Sequence, residues 1–230
     1  MKLARILLLT LLGAAAAVPA SALHEGEAAA SVSIAVGFES LVKDADAVAV
    51  VVAQESRSVW EDGRIVTYTR VKVEQGVAGD VGAGSEGWVR TLGGSVGRIG
   101  QLVDGEANLA GGKPSLVFLR KFKAQTTWEV SARAQGQFPV LTDEITKAKK
   151  VIRATNVGVL LPPKAQAQNG TSTAPAGQVA PQAARSGAAS AEAPATVKLA
   201  SEVLHDRPLD EATREIATAF RRLHATPATK

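Results

Sequence analysis

From about Ser33 to Leu161 the chain alternates apolar runs with glycine-rich breaks, a rhythm that predicts short strands rather than helices. "AVAVVVAQESRSVW" (47–60) opens apolar at every position, as a strand buried on both faces would. "RIVTYTRVKVEQ" (64–75) alternates, placing Ile65, Thr67, Thr69, Val71 and Val73 on one face. Between the two, "EDG" (61–63) has the chemistry of a hairpin turn. Further strands are predicted at "EGWVRTL" (86–92), "PSLVFLRKF" (114–122) and "TWEVSARAQGQFPV" (127–140), with a short helix over 41–46 capped by Ser40. Three strands in a meander, an irregular stretch and two more strands make a mainly β fold. The pattern matches a small five-stranded OB-like barrel, with a β-sandwich as the alternative. Gly136 is placed to bend the last strand.

Outside this region the pattern changes twice. Residues 162–197 are Ala, Gln, Ser, Gly and Pro without a periodic apolar face, which predicts a disordered linker. Residues 198–225 follow as a helical segment. Within it Leu209, Ile216, Phe220 and Leu223 form one apolar stripe, and acids precede bases along the axis. A helix of this length needs a surface to dock on, either the β domain or a partner. The β domain at 33–161 is expected to fold without residues 163–230.

The N-terminus reads as an export signal. Lys2 and Arg5 precede an apolar run from Ile6 to Val18, and Ala20-Ser21-Ala22 is a small-x-small site, so cleavage is expected after Ala22. The segment 1–22 is then a signal peptide, and the mature chain has no membrane span and is periplasmic or secreted. There is no cysteine, so neither disulfides nor thiol chemistry contribute, and an apolar core must hold the fold alone. Eight of the nine aromatic residues lie between Phe38 and Phe138, which places the core there and predicts that the tryptophans and phenylalanines fill it. The 26 Lys and Arg fall to 24 once Lys2 and Arg5 leave with the signal, against 22 Asp and Glu. That balance argues against nucleic acid as the main partner.

The stretch "TLGGSVGRIGQLVDGE" (91–106) resembles a phosphate-binding loop only in its glycines. Gly100 is followed by Gln101-Leu102-Val103 and not by the Lys-Ser/Thr of a Walker loop, and no helix start receives an anion. Gly93, Gly94, Gly97, Gly100 and Gln101 are therefore assigned to a structural loop that turns the chain at positive φ. Val96, Ile99, Leu102 and Val103 are expected to cap the core beneath it.

Catalytic constellations are scarce. The β domain has no histidine, since His24 lies at the cleavage site and His205 and His224 in the C-terminal segment. No catalytic residue, metal ligand or cofactor is assigned. Glu61, Asp62, Asp104 and Glu106 leave carboxylate chemistry open. Arg120, Lys121 and Lys123 with Lys147, Lys149 and Lys150 could make a basic patch, and Trp60, Tyr68, Trp88 and Trp128 could supply stacking platforms. Solvated lysines and core tryptophans are the simpler reading.

Three ordered motifs remain: Gly93-Gly94 with Ile99-Gly100-Gln101, Gly112 through Leu116 to Phe118-Leu119, and Gln135-Gly136 with Phe138. In this order they resemble a group of exported proteins of Gram-negative soil bacteria that carries no assigned activity. More distantly, the strand order is similar to the netrin-like barrels that include metalloproteinase inhibitors. Those inhibitors act through N-terminal cysteines, which this chain lacks. The function expected is a non-enzymatic binding domain for a protein or cell-envelope ligand. The alternatives are a carboxylate-dependent hydrolase of glycans and a protease-inhibitor or accessory role.

Overall fold

The computed structural model describes residues 32–123, 127–163 and 197–225. The segment expected to be a signal peptide and most of the predicted linker lie outside the described residues. The fold is mainly β. In chain order it runs β1 (Val32–Ile34), α1 (Phe38–Asp44), β2 (Ala47–Glu61), β3 (Arg64–Ala78), β4 (Glu86–Leu92), β5 (Gly94–Val96), β6 (Ile99–Gln101), β7 (Pro114–Lys121) and β8 (Thr127–Val130). A 3₁₀ turn (Arg133–Gly136) leads into β9 (Gln137–Thr142), β10 (Lys149–Val151) and β11 (Val159–Leu161). The C-terminal part adds α2 (Ala200–Leu204), β12 (Arg207–Pro208) and α3 (Leu209–Leu223).

The main sheet has eight strands in the order β12-β10-β9-β7-β2-β3-β4-β8, and β8 also pairs antiparallel with β7. Five strands were expected. The additional ones are short, and their sequences carry too few alternating positions to announce themselves. Its remaining contacts are antiparallel except for β4 with β8, which is parallel.

Strand β2 explains the architecture. Its apolar start feeds two cores at once, because successive side chains point to opposite faces. Ala47, Ala49 and Val51 join Val71, Val73, Val89, Val117, Leu119 and Val130 on one side of the sheet. Val48 and Val50 join Leu116, Phe118, Phe138, Val140 and Val151 on the other, where α1, α2 and α3 cover them. Phe118 and Phe138 meet edge-to-face at 6.1 Å. The even-numbered side chains of β3 mostly face outward, while Ile65, Thr69, Val71 and Val73 are buried, as the alternation predicts.

The tryptophans do not fill the core as expected. Trp60 and Trp88 are exposed and Trp128 is only partly buried. Valine and alanine line the inner cluster instead, and small β-branched side chains pack facing strands without voids.

The helical segment is part of the core. Leu204, Ala212 and Ile216 are fully buried in the cluster that holds Phe118 and Leu41, with Phe220 and Leu223 partly buried at its edge. The stripe thus docks on its own chain. Helix α1 starts at Phe38 and not after Ser40, since Gly37 is the N-cap and the Phe38 N–H donates to the Lys198 carbonyl at 2.9 Å. The returning chain supplies the partner that a capping side chain would otherwise provide.

The predicted last strand breaks at its glycine. β8 and β9 lie end to end along one side of β7, separated by residues 131–136. Ala132 and Arg133 both take φ of 55° there, and a Cβ on Gly136 would overlap the Ser131 carbonyl. Two consecutive left-handed non-glycine residues cost about 1 kcal/mol or more each, so the surrounding contacts must hold them.

Because the helices complete the second core, deleting residues 163–230 should abolish the cooperative thermal transition, contrary to the expectation of an autonomous β domain. The milder Ile216→Ala should lower stability by about 2–4 kcal/mol in chemical denaturation.

Candidate functional site

The glycine loop is a hairpin, held by hydrogen bonds to β2 and β3 of its own chain. β5 pairs antiparallel with β6, with the turn at Gly97-Arg98. Gly93 (φ 90°), Gly94 (φ 125°) and Gly97 (φ 61°) occupy positive φ, whereas Gly100 does not. Gly94 lies against the hydroxyls of Ser58 and Thr67, which would overlap any Cβ there. Those hydroxyls hydrogen-bond each other at 2.9 Å, and Thr67 also donates to the Gly93 carbonyl at 2.6 Å. Gln101 Oε1 accepts the Ile65 N–H at 2.6 Å, so its side chain replaces a missing strand partner. Val96 and Val103 are half-buried, but Ile99 and Leu102 point to solvent instead of capping the core.

Gln135 and Gln137 act in the same way. Gln135 accepts the Val36 N–H at 2.9 Å and donates to the Ile34 carbonyl at 3.0 Å, tying β1 to the corner after β8. Gln137 accepts from the Asn108 N–H at 2.8 Å and donates to the Asn108 carbonyl at 2.6 Å. The motif glutamines are structural staples.

On the outer face, five strands align one residue each in register: Arg57, Tyr68, Arg90, Glu129 and Arg120. Arg90 is its centre. It donates to Glu129 at 2.8 Å and to Glu61 at 3.0 Å, and its guanidinium lies 4.5 Å from the Phe122 ring centre. Tyr68 donates to Glu61 at 2.7 Å. The Tyr68 hydroxyl and the Arg90 guanidinium hold the Glu61 carboxyl below its ordinary value. Trp88, opposite Arg70 and on the same face as Arg90, is 37% exposed. Arg70 bridges Glu86 at 2.6 Å and Glu55 at 3.2 Å beside it. The result is a charge-balanced surface of paired donors and acceptors with aromatic rings among them, bounded by the Asp62-Gly63 turn and by Phe122.

The other candidate residues separate. Arg120 pairs with Glu129 and Lys150 with Asp206, while Lys121 and Lys123 lie over the rings of Trp128 and Phe122. The two basic groups sit on β7 and near β10, with β9 between them, so no single patch forms. Asp62 and Gly63 both take positive φ, as a type I′ hairpin turn requires. His205 accepts the Arg153 N–H and His224 stacks on Phe220. Among the described residues no three His, Asp or Glu side chains gather as a metal site, and no helix is long and apolar enough to cross a membrane.

Among the described residues Glu106 is the one buried acid. Burial pushes its carboxyl above the ordinary value, opposed by Arg133 at 3.7 Å and by the backbone N–H groups of Ala107 and Leu92. The cavity below β1, lined by Val36, Gln135, Phe138 and Leu160 among others, is about 30 Å³, room for a water but not for an organic ligand.

Sequence reasoning named Tyr68, Trp88 and Glu61 but missed Arg57, Arg90 and Glu129 as one group. The polar side of the alternation was visible, but the register that aligns five strands was not. Comparison with protein families, curated proteins and solved structures finds no match to this chain.

Gly94→Ala should cost about 2–4 kcal/mol, from strain plus overlap, while Gly100→Ala stays within about 0.5 kcal/mol, both read by urea denaturation. Because the folded-state value of Glu106 is raised, its burial penalty is present at neutral pH and fades as pH falls through that raised value towards 4.5. Glu106→Gln should therefore raise the melting temperature at pH 7 and flatten its change between pH 7 and 4.5.

Proposed function

We propose that this chain is an exported, non-enzymatic binding domain that contacts a polar cell-envelope glycan with the outer face of β3, β4 and β8. The export reading rests on the Lys2/Arg5, Ile6–Val18 and Ala20-Ser21-Ala22 pattern. The observation that carries the contact face is the Arg57-Tyr68-Arg90-Glu129-Arg120 row with Trp88 beside it.

The strand pairing supports an OB-type barrel within the larger sheet. β2 pairs with β3, β3 with β4, β4 in parallel with β8, β8 with β7 and β7 with β2, a cycle of five whose one parallel contact joins its third and fifth strands. In barrels of this type the face of the second and third strands, between the first-to-second and fourth-to-fifth connections, holds oligosaccharides or oligonucleotides. Here that face is β3 and β4, between Asp62-Gly63 and the chain after Lys121.

Charge selects between those two ligand classes. Arg90 is engaged by two carboxylates, and Glu55, Glu61, Glu86 and Glu129 would repel a phosphate backbone. A neutral sugar meets no such penalty; its hydroxyls match paired donors and acceptors, and its apolar faces stack on exposed rings. The hydrolase alternative has less support on this face, because Tyr68 and Arg90 hold Glu61 below its ordinary value, the opposite of the shift a general acid needs.

The mature chain should co-sediment with purified peptidoglycan, and Trp88→Ala should weaken retention roughly tenfold without lowering the melting temperature. Equal retention of wild type and variant, or release of new reducing ends from the glycan, would refute this reading.

A further inference from the structure

A second surface is built from residues that the glycan face does not use. β1 and β11 form a two-stranded parallel pair in which Val32 stands opposite Val159 and Ile34 opposite Leu161. Alternation puts these four aliphatic side chains on one face, and each is between 51% and 57% exposed. Ser33 and Leu160, on the other face, are half-buried, and Leu160 lines the small cavity beside Gln135. The register thus makes one continuous apolar patch, on a type of sheet that is ordinarily covered on both faces.

Both edges of the pair are obstructed against a further strand. On the β1 side the Gln135 side chain bonds the Ile34 carbonyl and the Val36 N–H, and the Ala200 N–H donates to the Val36 carbonyl. On the other side the Leu161 carbonyl accepts from Ala35, so Leu160 and Pro162 point away from β1, and Pro162 has no N–H to donate. A partner therefore meets the face and not the edge. The runs 28–38 and 154–163 contain no charged residue, and their one aromatic, Phe38, is buried. The tryptophan, tyrosine and basic side chains that anchor a protein at a bilayer surface are missing from them. Nor does the rest of the chain supply a cover: residues 23–31, 124–126, 164–196 and 226–230 hold two large aliphatic side chains between them, Leu23 and Val179.

We propose that the outer face of β1 and β11 packs against the same face of a second copy of the chain, about a twofold axis. Such a contact sets valine, isoleucine and leucine of one copy on those of the other and buries no charge. A flat aliphatic face needs no pocket in its partner, and an uncharged one has no electrostatic counterpart to seek. Four half-exposed side chains bury less than the roughly 800 Å² per partner of a stable complex, so the pair belongs with the weak, concentration-dependent contacts below about 1,200 Å² in total. The proposal rests on β1 and β11 alone and does not depend on glycan binding, which uses Trp88 on β4.

The test uses residues 23–230, so that the apolar run at 6–18 cannot itself associate. In analytical ultracentrifugation from micromolar to millimolar protein, the weight-average mass should rise from monomer towards dimer, with little change on adding salt. Ile34→Lys places a charge on the face and should weaken the dimer at least about tenfold with an unchanged melting temperature. The chain has no cysteine, so Val159→Cys supplies its single thiol. A short bis-maleimide should link this variant into a covalent dimer faster than it links Glu211→Cys on the exposed side of α3. A monomer at every concentration, or a dimer that Ile34→Lys leaves intact, would overturn the proposal. So would wild-type binding to phosphatidylcholine vesicles that Ile34→Lys removes, which would assign the face to lipid. Peptidoglycan retention of Ile34→Lys should equal that of the wild type at concentrations where both are monomeric, so the failure of either reading leaves the other standing.

Discussion

The structure depends on one sheet being buried on both faces without a covalent link to help it. A chain with no cysteine must hold itself by apolar contact, and a single small core would leave little margin. Strands β2 and β7 solve this by contributing alternate side chains to two clusters. Val48, Val50, Leu116 and Phe118 meet the helices, while Ala47, Ala49, Val51, Val117 and Leu119 meet β3, β4 and β8. Everything else follows from having to cover both faces. The C-terminal helix returns across the chain because the face made by Phe118 and Phe138 would otherwise stand open.

The irregular segments are held by polar side chains standing in for backbone. Gln101, Gln135 and Gln137 each present an amide where a neighbouring strand is missing, and each satisfies main-chain groups that burial would otherwise leave costly. The corner at 131–136 shows how far this support extends. It holds two residues in the left-handed region, and the Ser131 hydroxyl there has no hydrogen-bond partner among the described residues. The hydrogen bond of Gln135 to the Ile34 carbonyl of β1 and the position of Glu106 beside Arg133 keep that corner in place.

Once both cores are filled, the side chains left outside divide into two kinds. The row centred on Arg90 is polar and internally balanced, and its geometry suits a ligand rich in hydroxyl groups. Trp60, Ile99 and Leu102 are apolar side chains that the fold leaves exposed. The row is built on strand residues whose backbones are already hydrogen-bonded, so it does not need to order itself on contact.

The amino-acid pattern by itself determined the β class, the β2–β3 hairpin with its Asp62-Gly63 turn, the double burial of β2, the bend near Gly136 and the apolar stripe of α3. Each of these is a local matter of alternation, turn chemistry or helical period within a few residues. Only the tertiary structure decided the rest. It split the last strand, moved the start of α1 to Phe38, left Trp60 and Trp88 in solvent, and drew Arg57, Tyr68, Arg90, Glu129 and Arg120 into one row. These outcomes depend on register between strands far apart in the chain and on which segment returns to supply a hydrogen-bond partner. Side-chain periodicity says which residues share a face, but pairing between distant strands decides which faces meet.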